Sequence, residues 1–234
     1  MQEPDPLISV VLPAHNEAER IAAALRSIME QTLPVGEIEA IVVNNGSTDA
    51  TAEVVIALRE ESNLRIELLH DPTPGIARAK NGGARHARGA CLVFMDSDSR
   101  MSPGLLRLVA QRARGGERSA SIRIVADSRD LLDRGFFWLM EWGKRLFRIR
   151  ANMAWMERSL FEQLGGFDER LHHAEDLDLL VRARRAGVGV GHITAERIYT
   201  SNRRLRHGPF RLGMVATFFR WALGNFGIGR RWRY

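Results

Sequence analysis

The chain has 234 residues, enough for one large domain or two small ones, and its 45% hydrophobic and 26% charged residues are those of an ordinary globular protein. Its 34 basic and 28 acidic residues leave a net charge of +6, carried almost wholly by arginine because Lys80 and Lys144 are the only lysines. The single cysteine, Cys91, excludes an intramolecular disulfide framework and a cysteine-built zinc site, so a reducing, cytoplasmic setting is expected.

The residues before Leu7 include Glu3 and Asp5, whereas a secretory leader opens with positive charge, and the apolar run Leu7 to Leu12 is too short for a leader core. Secretion is therefore not expected. That run is rich in β-formers and stops at Pro13, and from Glu17 to Gln31 the residues Ile21, Leu25, Ile28 and Met29 recur at helical spacing. The alternation continues with strands at Glu39 to Val43, Arg65 to Leu69 and Cys91 to Met95, and helices at Ala50 to Glu60 and Ile76 to Arg88. Repeated strand-helix steps predict an α/β fold, a mostly parallel central sheet flanked by helices on both faces. Right-handed crossovers gather the loops that follow the strands at one edge, where open α/β sheets bind ligands.

After Asp98 the rhythm changes. A helix is expected at Pro103 to Arg112, a strand at Ala120 to Val125, an aromatic stretch from Leu131 to Ile149, and a strand at Ala151 to Met156. A short helix from Arg158 to Leu164 ends at Gly165-Gly166, and Glu175 to Ala186 forms a helix closed by Gly187. No linker-like stretch and no repeat divides the chain. Residues 1–202 read as one domain, with a nucleotide-facing half at about 1–98 and an acceptor half at about 99–202; residues 203–234 read as a basic, aromatic segment of the same domain.

Four polar segments fall where chemistry is expected. Pro13-Ala-His-Asn-Glu17 and Asn44-Asn-Gly-Ser-Thr-Asp49 follow adjacent strands. Each has the composition of a simple turn, with Pro13 ending a strand and Asn45-Gly46 favouring positive φ; side by side they form a pocket able to grip a base and ribose. Asp96-Ser97-Asp98 is equally a self-capped polar turn or a pair of hard oxygen ligands delivered by the apolar strand Cys91 to Met95. Glu175 and Asp176 open a helix, where acids suit the macrodipole, and a first-turn carboxylate can also project into a cleft as a general base.

The ordered set Pro13-Ala-His-Asn-Glu17, Asn44-Asn-Gly-Ser-Thr-Asp49, Ala79-Lys-Asn81, Met95-Asp-Ser-Asp98, Gly165-Gly-Phe-Asp168 and Glu175-Asp176 resembles family 2 glycosyltransferases of the GT-A fold, over roughly Leu7 to Gly187. The resemblance implies inverting, single-displacement transfer of a sugar from a nucleoside-diphosphate sugar to an acceptor hydroxyl. Pro13, Ala14, His15 and Glu17 match the first nucleotide-binding loop, with His15 packing on the base. Asn44 and Asn45 stand where the family usually carries two Asp, which changes an acceptor-only group into one that also donates. Lys80, which the resemblance places among the donor-binding residues, replaces the usual Arg, keeping charge while losing the bidentate fork. The resemblance further implies that Asp98, with Asp96, would hold a divalent Mn²⁺ or Mg²⁺, that Asp96 and Ser97 would also face the donor, that Asp176 would be the base and that Glu175 would shape the acceptor side.

From Arg203 to Tyr234 there are eight Arg and no acid, interleaved with Phe210, Phe218, Phe219, Trp221, Phe226 and Trp232. Arg203 and Arg204 are candidates to clamp the donor's phosphates, and His207 is a further candidate metal ligand. The segment either packs on the domain or lies at an anionic membrane surface, which would suit a lipid-linked acceptor and the inner face of a membrane. Its most apolar part, Gly208 to Gly229, is interrupted by Arg211 and Arg220, so no transmembrane helix is expected. The alternatives to a transferase are a catalytically silent sugar-nucleotide-binding protein and a basic nucleic-acid-binding protein. The latter lacks any recognition motif, so nucleic acid is not an expected partner. A dinucleotide oxidoreductase is excluded because no Gly-x-Gly-x-x-Gly follows the first strand.

Overall fold

The computed structural model describes residues 7–128, 130–146, 154–171 and 174–201. In chain order the elements are β1 (Ile8–Ala14), α1 (Ile21–Met29), β2 (Ile38–Asn44), α2 (Thr51–Glu61), β3 (Arg65–His70), α3 (Ile76–His86) and β4 (Cys91–Phe94). They continue with β5 (Ser99–Met101), α4 (Leu105–Arg114), β6 (Ser119–Ala126), α5 (Leu131–Leu146), β7 (Ala154–Glu157), α6 (Arg158–Gln163), α7 (Glu175–Arg185) and β8 (Gly191–Thr200). The strands form one sheet in the order β3-β2-β1-β4-β7-β6-β8-β5.

β1 and β2 are buried on both faces, as their unbroken apolar runs require of central parallel strands. Alternation along β1 divides the interior in two. Ile8, Val10 and Leu12 pack with Leu25 of α1, Val55 of α2 and Leu105 of α4, whereas Val11 packs with Ala79 of α3, Phe161 of α6 and Leu180 of α7. Helices thus cover both faces, and the first four strands run parallel. The second half adds antiparallel pairs, β4 with β7, β7 with β6 and β8 with β5, together with the parallel pair β6 and β8.

Close helix-sheet approach sets the position of the site. Gly83 faces β1 so tightly that a Cβ there would lie 2.5 Å from Val11 Cγ1. This draws α3 onto the sheet and places Lys80 and Asn81, both buried, at the carboxyl edge of the strands. The stretch beginning at Leu131 is a helix, and the expected strand at Ala151 to Met156 is described only from Ala154. β5 and β8 were not expected from the sequence pattern.

Candidate functional site

The loops after β1 and β2 are stitched into one wall. Asn45 N–H donates to Ala14 O at 2.8 Å, Asn16 N–H to Ser47 Oγ at 3.0 Å, Thr48 N–H to Asn16 Oδ1 at 2.8 Å, and Ala18 N–H to Asp49 Oδ2 at 3.1 Å. Asn16 takes φ 55° to do so, a conformation Asn tolerates better than most residues. His15 Nδ1 lies 2.8 Å from Asn45 O. A carbonyl only accepts, so Nδ1 carries the proton, which fixes the tautomer and the orientation of an exposed ring. Asp49 also accepts from the Thr51 hydroxyl, which leads the interactions that hold its pKa below the ordinary aspartate value.

Asn45 is buried, and its carboxamide is taken up by the loop before α3. Its Nδ2 donates to Thr73 O at 2.7 Å and Asp71 O at 3.2 Å, and its Oδ1 accepts from Gly75 N–H at 2.8 Å. An aspartate here could accept from Gly75 but could not donate to the two carbonyls, so this loop matches an asparagine at the position where the resemblance leads one to expect an acid. Asn44 Oδ1 accepts from Ser47 N–H at 3.1 Å and closes the turn around Gly46.

The densest charge lies between α3 and α7. Lys80 Nζ donates to Glu175 Oε1 at 2.8 Å and to Asp176 Oδ1 at 2.9 Å, with the Lys80, Glu175 and Asp176 side chains 2%, 9% and 20% exposed. Burial opposes the charge on Lys80, but Asp176, Glu175 and Asp96 outweigh it and hold its pKa above the ordinary lysine value. Burial likewise pushes the Asp176 carboxyl well above the usual carboxylate range. Lys80 pulls it back, and the like charges of Glu175 and Asp96 push it further up. One ammonium cannot compensate three acids, so the cluster carries surplus negative charge.

The ammonium also sits 5.1 Å from the centroid of the Phe167 ring, which packs edge-on against Phe94. Asn81 anchors the same loop. It donates to Phe167 O at 2.9 Å and Glu169 Oε1 at 3.0 Å, and accepts from Phe167 N–H at 2.9 Å. Gly166 has φ +71°, and a Cβ there would lie 2.7 Å from Asn81 Oδ1. Only glycine suits both constraints, so the Ala79-Lys-Asn81 and Gly165-Gly-Phe-Asp168 motifs are two sides of one contact.

The acid turn leaves β4 at the same edge. Ser99 N–H donates to Asp96 O at 3.0 Å, Ser97 is buried, and Asp96 and Asp98 are partly exposed. β5 then pairs with the end of β8, and Ser99 Oγ donates to Thr200 Oγ1 at 3.1 Å. Thr200, one residue before the end of the described chain at Ser201, therefore lies beside this turn.

The structure thus unites Lys80, Glu175 and Asp176, with Asp96 near enough to act on Lys80 and Asp176 electrostatically, and it joins Ala14 and His15 to Asn44 and Asn45, while Pro13 lies opposite Val43 and Glu17 N–H donates to Thr51 Oγ1 at 2.9 Å. Lys80, which the resemblance assigns to the donor, spends two of its three N–H groups on Glu175 and Asp176. Arg203, Arg204, His207 and the remainder of 203–234 lie outside the described residues. Among the described residues, no group of three His, Cys, Asp or Glu side chains is gathered to hold a metal, and no helix is long and apolar enough to cross a membrane. Asn81 and Phe167 stand in the motifs read from the sequence but without a role, and the sequence pattern did not single out the Asp71–Gly75 loop or Thr200. Asn81 was legible as the neighbour of Lys80, whereas Thr200 carried no signal.

The sequence profile of Glycosyl transferase family 2 matches residues 9–165. Over 197 residues the chain is 28% identical to chondroitin synthase from Pasteurella multocida (strain Pm70), covering 78% of this chain and 19% of that protein. It is 27% identical over 201 residues to the probable glycosyltransferase YdaM from Bacillus subtilis (strain 168), covering 78% of this chain and 47% of that one. The chain therefore spans less than half the length of both relatives. Among solved structures, S. aureus TarS in complex with UDP matches with TM-score 0.68 at 21% identity, over 83% of this chain and 60% of that one. The mannosyltransferase PcManGT from Pyrobaculum calidifontis, in complex with GDP-Man and Mn²⁺, matches with TM-score 0.73 at 24% identity, over 97% and 66%. These likenesses establish a GT-A glycosyltransferase fold, and with a profile match over more than half of its length the chain belongs to glycosyl transferase family 2.

Proposed function

We propose that this domain transfers a sugar from a nucleoside-diphosphate sugar to an acceptor hydroxyl with inversion, and that Asp176 is the general base. The observation that carries this reading is the buried Lys80–Glu175–Asp176 cluster, set at the carboxyl edge of the parallel strands in a family 2 chain. The raised pKa of Asp176 brings its basicity closer to neutral pH, where a proton acceptor works best. Asp176 takes the proton of the acceptor hydroxyl while that oxygen bonds to the anomeric carbon. The bond from that carbon to the diphosphate oxygen breaks, and its electron pair leaves with the nucleoside diphosphate. Lys80 holds the carboxylate in place and Glu175 walls the acceptor side.

The donor's base is taken to rest against the fixed ring of His15, between the loops that begin at Pro13, Ala14 and Glu17 and at Asn44 and Asn45. With the Asn45 carboxamide committed to the Asp71–Gly75 loop, base selection falls to Asn44 and to backbone groups. Asp98 and Asp96 are two hard oxygen donors on a turn, a set that suits Mg²⁺ or Mn²⁺ when diphosphate oxygens complete the shell. Such a metal would neutralise charge on the leaving diphosphate. Arg203 and Arg204 supply forked donors suited to clamp the same phosphates, and His207 is a further candidate ligand of the metal. Relatives of this fold were solved with UDP-GlcNAc and with GDP-Man and Mn²⁺, which supports this class of donor. A lipid-linked acceptor is the class that the basic, aromatic segment 203–234 favours.

The test is release of nucleoside diphosphate from a panel of UDP- and GDP-sugars, with Mn²⁺ or with excess EDTA. At least one donor is expected to turn over, and chelation is expected to stop it. Turnover indifferent to EDTA would remove the metal from the reaction, and no turnover of any donor with any hydroxyl acceptor would count against the transferase reading.

A further inference from the structure

α5 is oriented against the usual rule for a helix packed on a sheet. Its inner side rests on β6 and buries Asp133, which accepts from Ser128 Oγ at 2.8 Å. Its outer side carries Leu131, Leu132, Trp138, Leu139 and Trp142, which are 78%, 63%, 66%, 48% and 51% exposed. These positions recur at spacings of three, four and seven residues, so they form one continuous apolar stripe facing away from the core. Five large apolar side chains in one stripe are a patch, not scattered exposure.

Beneath the stripe lies a groove of about 590 Å³, whose lining includes Arg123, Arg134, Arg197, Tyr199, Leu131 and Trp138. Among the described residues, no carboxylate pairs with these three arginines, and the buried Nε of Arg123 has no hydrogen-bond partner. The nearby Asp127 is already committed, because Arg100 Nη2 and Nε donate to it at 2.6 and 3.2 Å. Guanidinium groups without an ion pair among the described residues, next to tryptophan and leucine, match an anionic, amphiphilic partner: phosphate for the forked donors, acyl chain for the stripe, and headgroup level for the indoles.

We propose that the outward face of α5 and the arginine groove below it dock the protein on an anionic lipid surface. Charge complementarity selects this occupant over a second copy of the chain, whose identical arginines would face one another. The contact lies in the plane of the interface. The groove is built from the ends of β6 and β8, where Ala126 and Tyr199 neighbour Thr200 and Arg100 across the sheet. Docking there brings the acid turn at Asp96–Asp98 toward the membrane surface, on the side from which a lipid-linked acceptor would arrive. The binding itself does not depend on the transfer reaction.

The experiment is flotation of the full chain with vesicles of phosphatidylcholine and phosphatidylglycerol, against phosphatidylcholine alone, at low and high salt. Binding is expected only to the anionic vesicles and is expected to fall with salt. It is expected to drop about fivefold for Arg134→Ala, and on the order of a hundredfold for Trp138→Glu with Trp142→Glu. Both variants change exposed positions and leave 203–234 intact, and an unchanged melting temperature verifies the fold. Binding that survives both variants would assign lipid contact elsewhere and overturn the proposal. So would absence of vesicle binding together with a concentration-dependent dimer that the tryptophan variants dissolve, because the stripe would then pair two copies.

Discussion

Replacing Lys80 by methionine is expected to destabilise the domain by roughly 3–5 kcal/mol, because breaking a buried ion pair leaves its partners charged and unpaired. For a domain of this size that corresponds to a melting temperature lower by roughly 6–20 °C. Methionine fills much of the lysine stem's volume, so the loss reports the ammonium and not a cavity. The effect has a defined pH dependence. Asp176 already has a raised pKa in the folded chain, and removing the cation raises it further. A carboxyl whose folded pKa is raised contributes stability at low pH that is lost as pH rises through the folded value. Lys80→Met is therefore expected to cost less near pH 5 than near pH 8, and Lys80→Arg is expected to restore part of the difference. Thermal unfolding at the two pH values checks this; a loss independent of pH would mean that packing, not charge, is what Lys80 supplies.

Asp176→Asn is expected to lower kcat on the order of 10²–10⁴-fold, the range lost when a general base is removed. Donor affinity should change little, since asparagine keeps the size of the side chain and an oxygen to accept from Lys80. Stability separates this result from misfolding. The substitution removes one of three acids crowded around a single ammonium, so the melting temperature near pH 8 should hold or rise. In the unsubstituted enzyme the rate should climb as pH rises through the pKa of Asp176, because only the deprotonated form accepts the proton. A full-rate Asp176→Asn enzyme would move the base elsewhere, with Glu175 the first candidate.

The first half of the fold was legible because β1, β2 and β4 are buried on both faces and α1 and α3 are amphipathic, so their local patterns agree with the global one. β8 was not. Its register against β6 jumps from Ile122 opposite Ile193 to Arg123 opposite Arg197, which puts its buried residues Ile193 and Ile198 five apart and breaks the two-residue period of a strand. β5 is three residues long, too short to carry a pattern at all. α5 misleads for the opposite reason. Its apolar stripe has helical spacing, but the stripe faces outward, and a hydrophobic pattern does not say which side of a helix the core occupies.

At the site, motif order gave the participants but not their pairings. That Asp96 acts on the Lys80–Asp176 pair follows from the sheet edge. That Lys80 faces the Glu175–Asp176 pair depends on Gly83 letting α3 settle on Val11, and on Asn81 holding Phe167. Neither contact leaves a periodic trace. The commitment of Asn45 to Thr73 and Gly75 was equally hidden, because a turn residue and a base-reading residue look alike in one sequence.

The most direct measurement is a calorimetric titration of UDP and of GDP into the full chain, with and without Mn²⁺, repeated on Asp98→Ala. If a nucleoside diphosphate binds at the acid turn beside the Lys80 cluster, one of the two nucleotides binds, Mn²⁺ tightens it, and Asp98→Ala weakens the Mn²⁺-dependent binding by at least about tenfold, the loss of one good charged contact. Binding of neither nucleotide, or binding that ignores both Mn²⁺ and Asp98→Ala, would contradict a donor site at this edge.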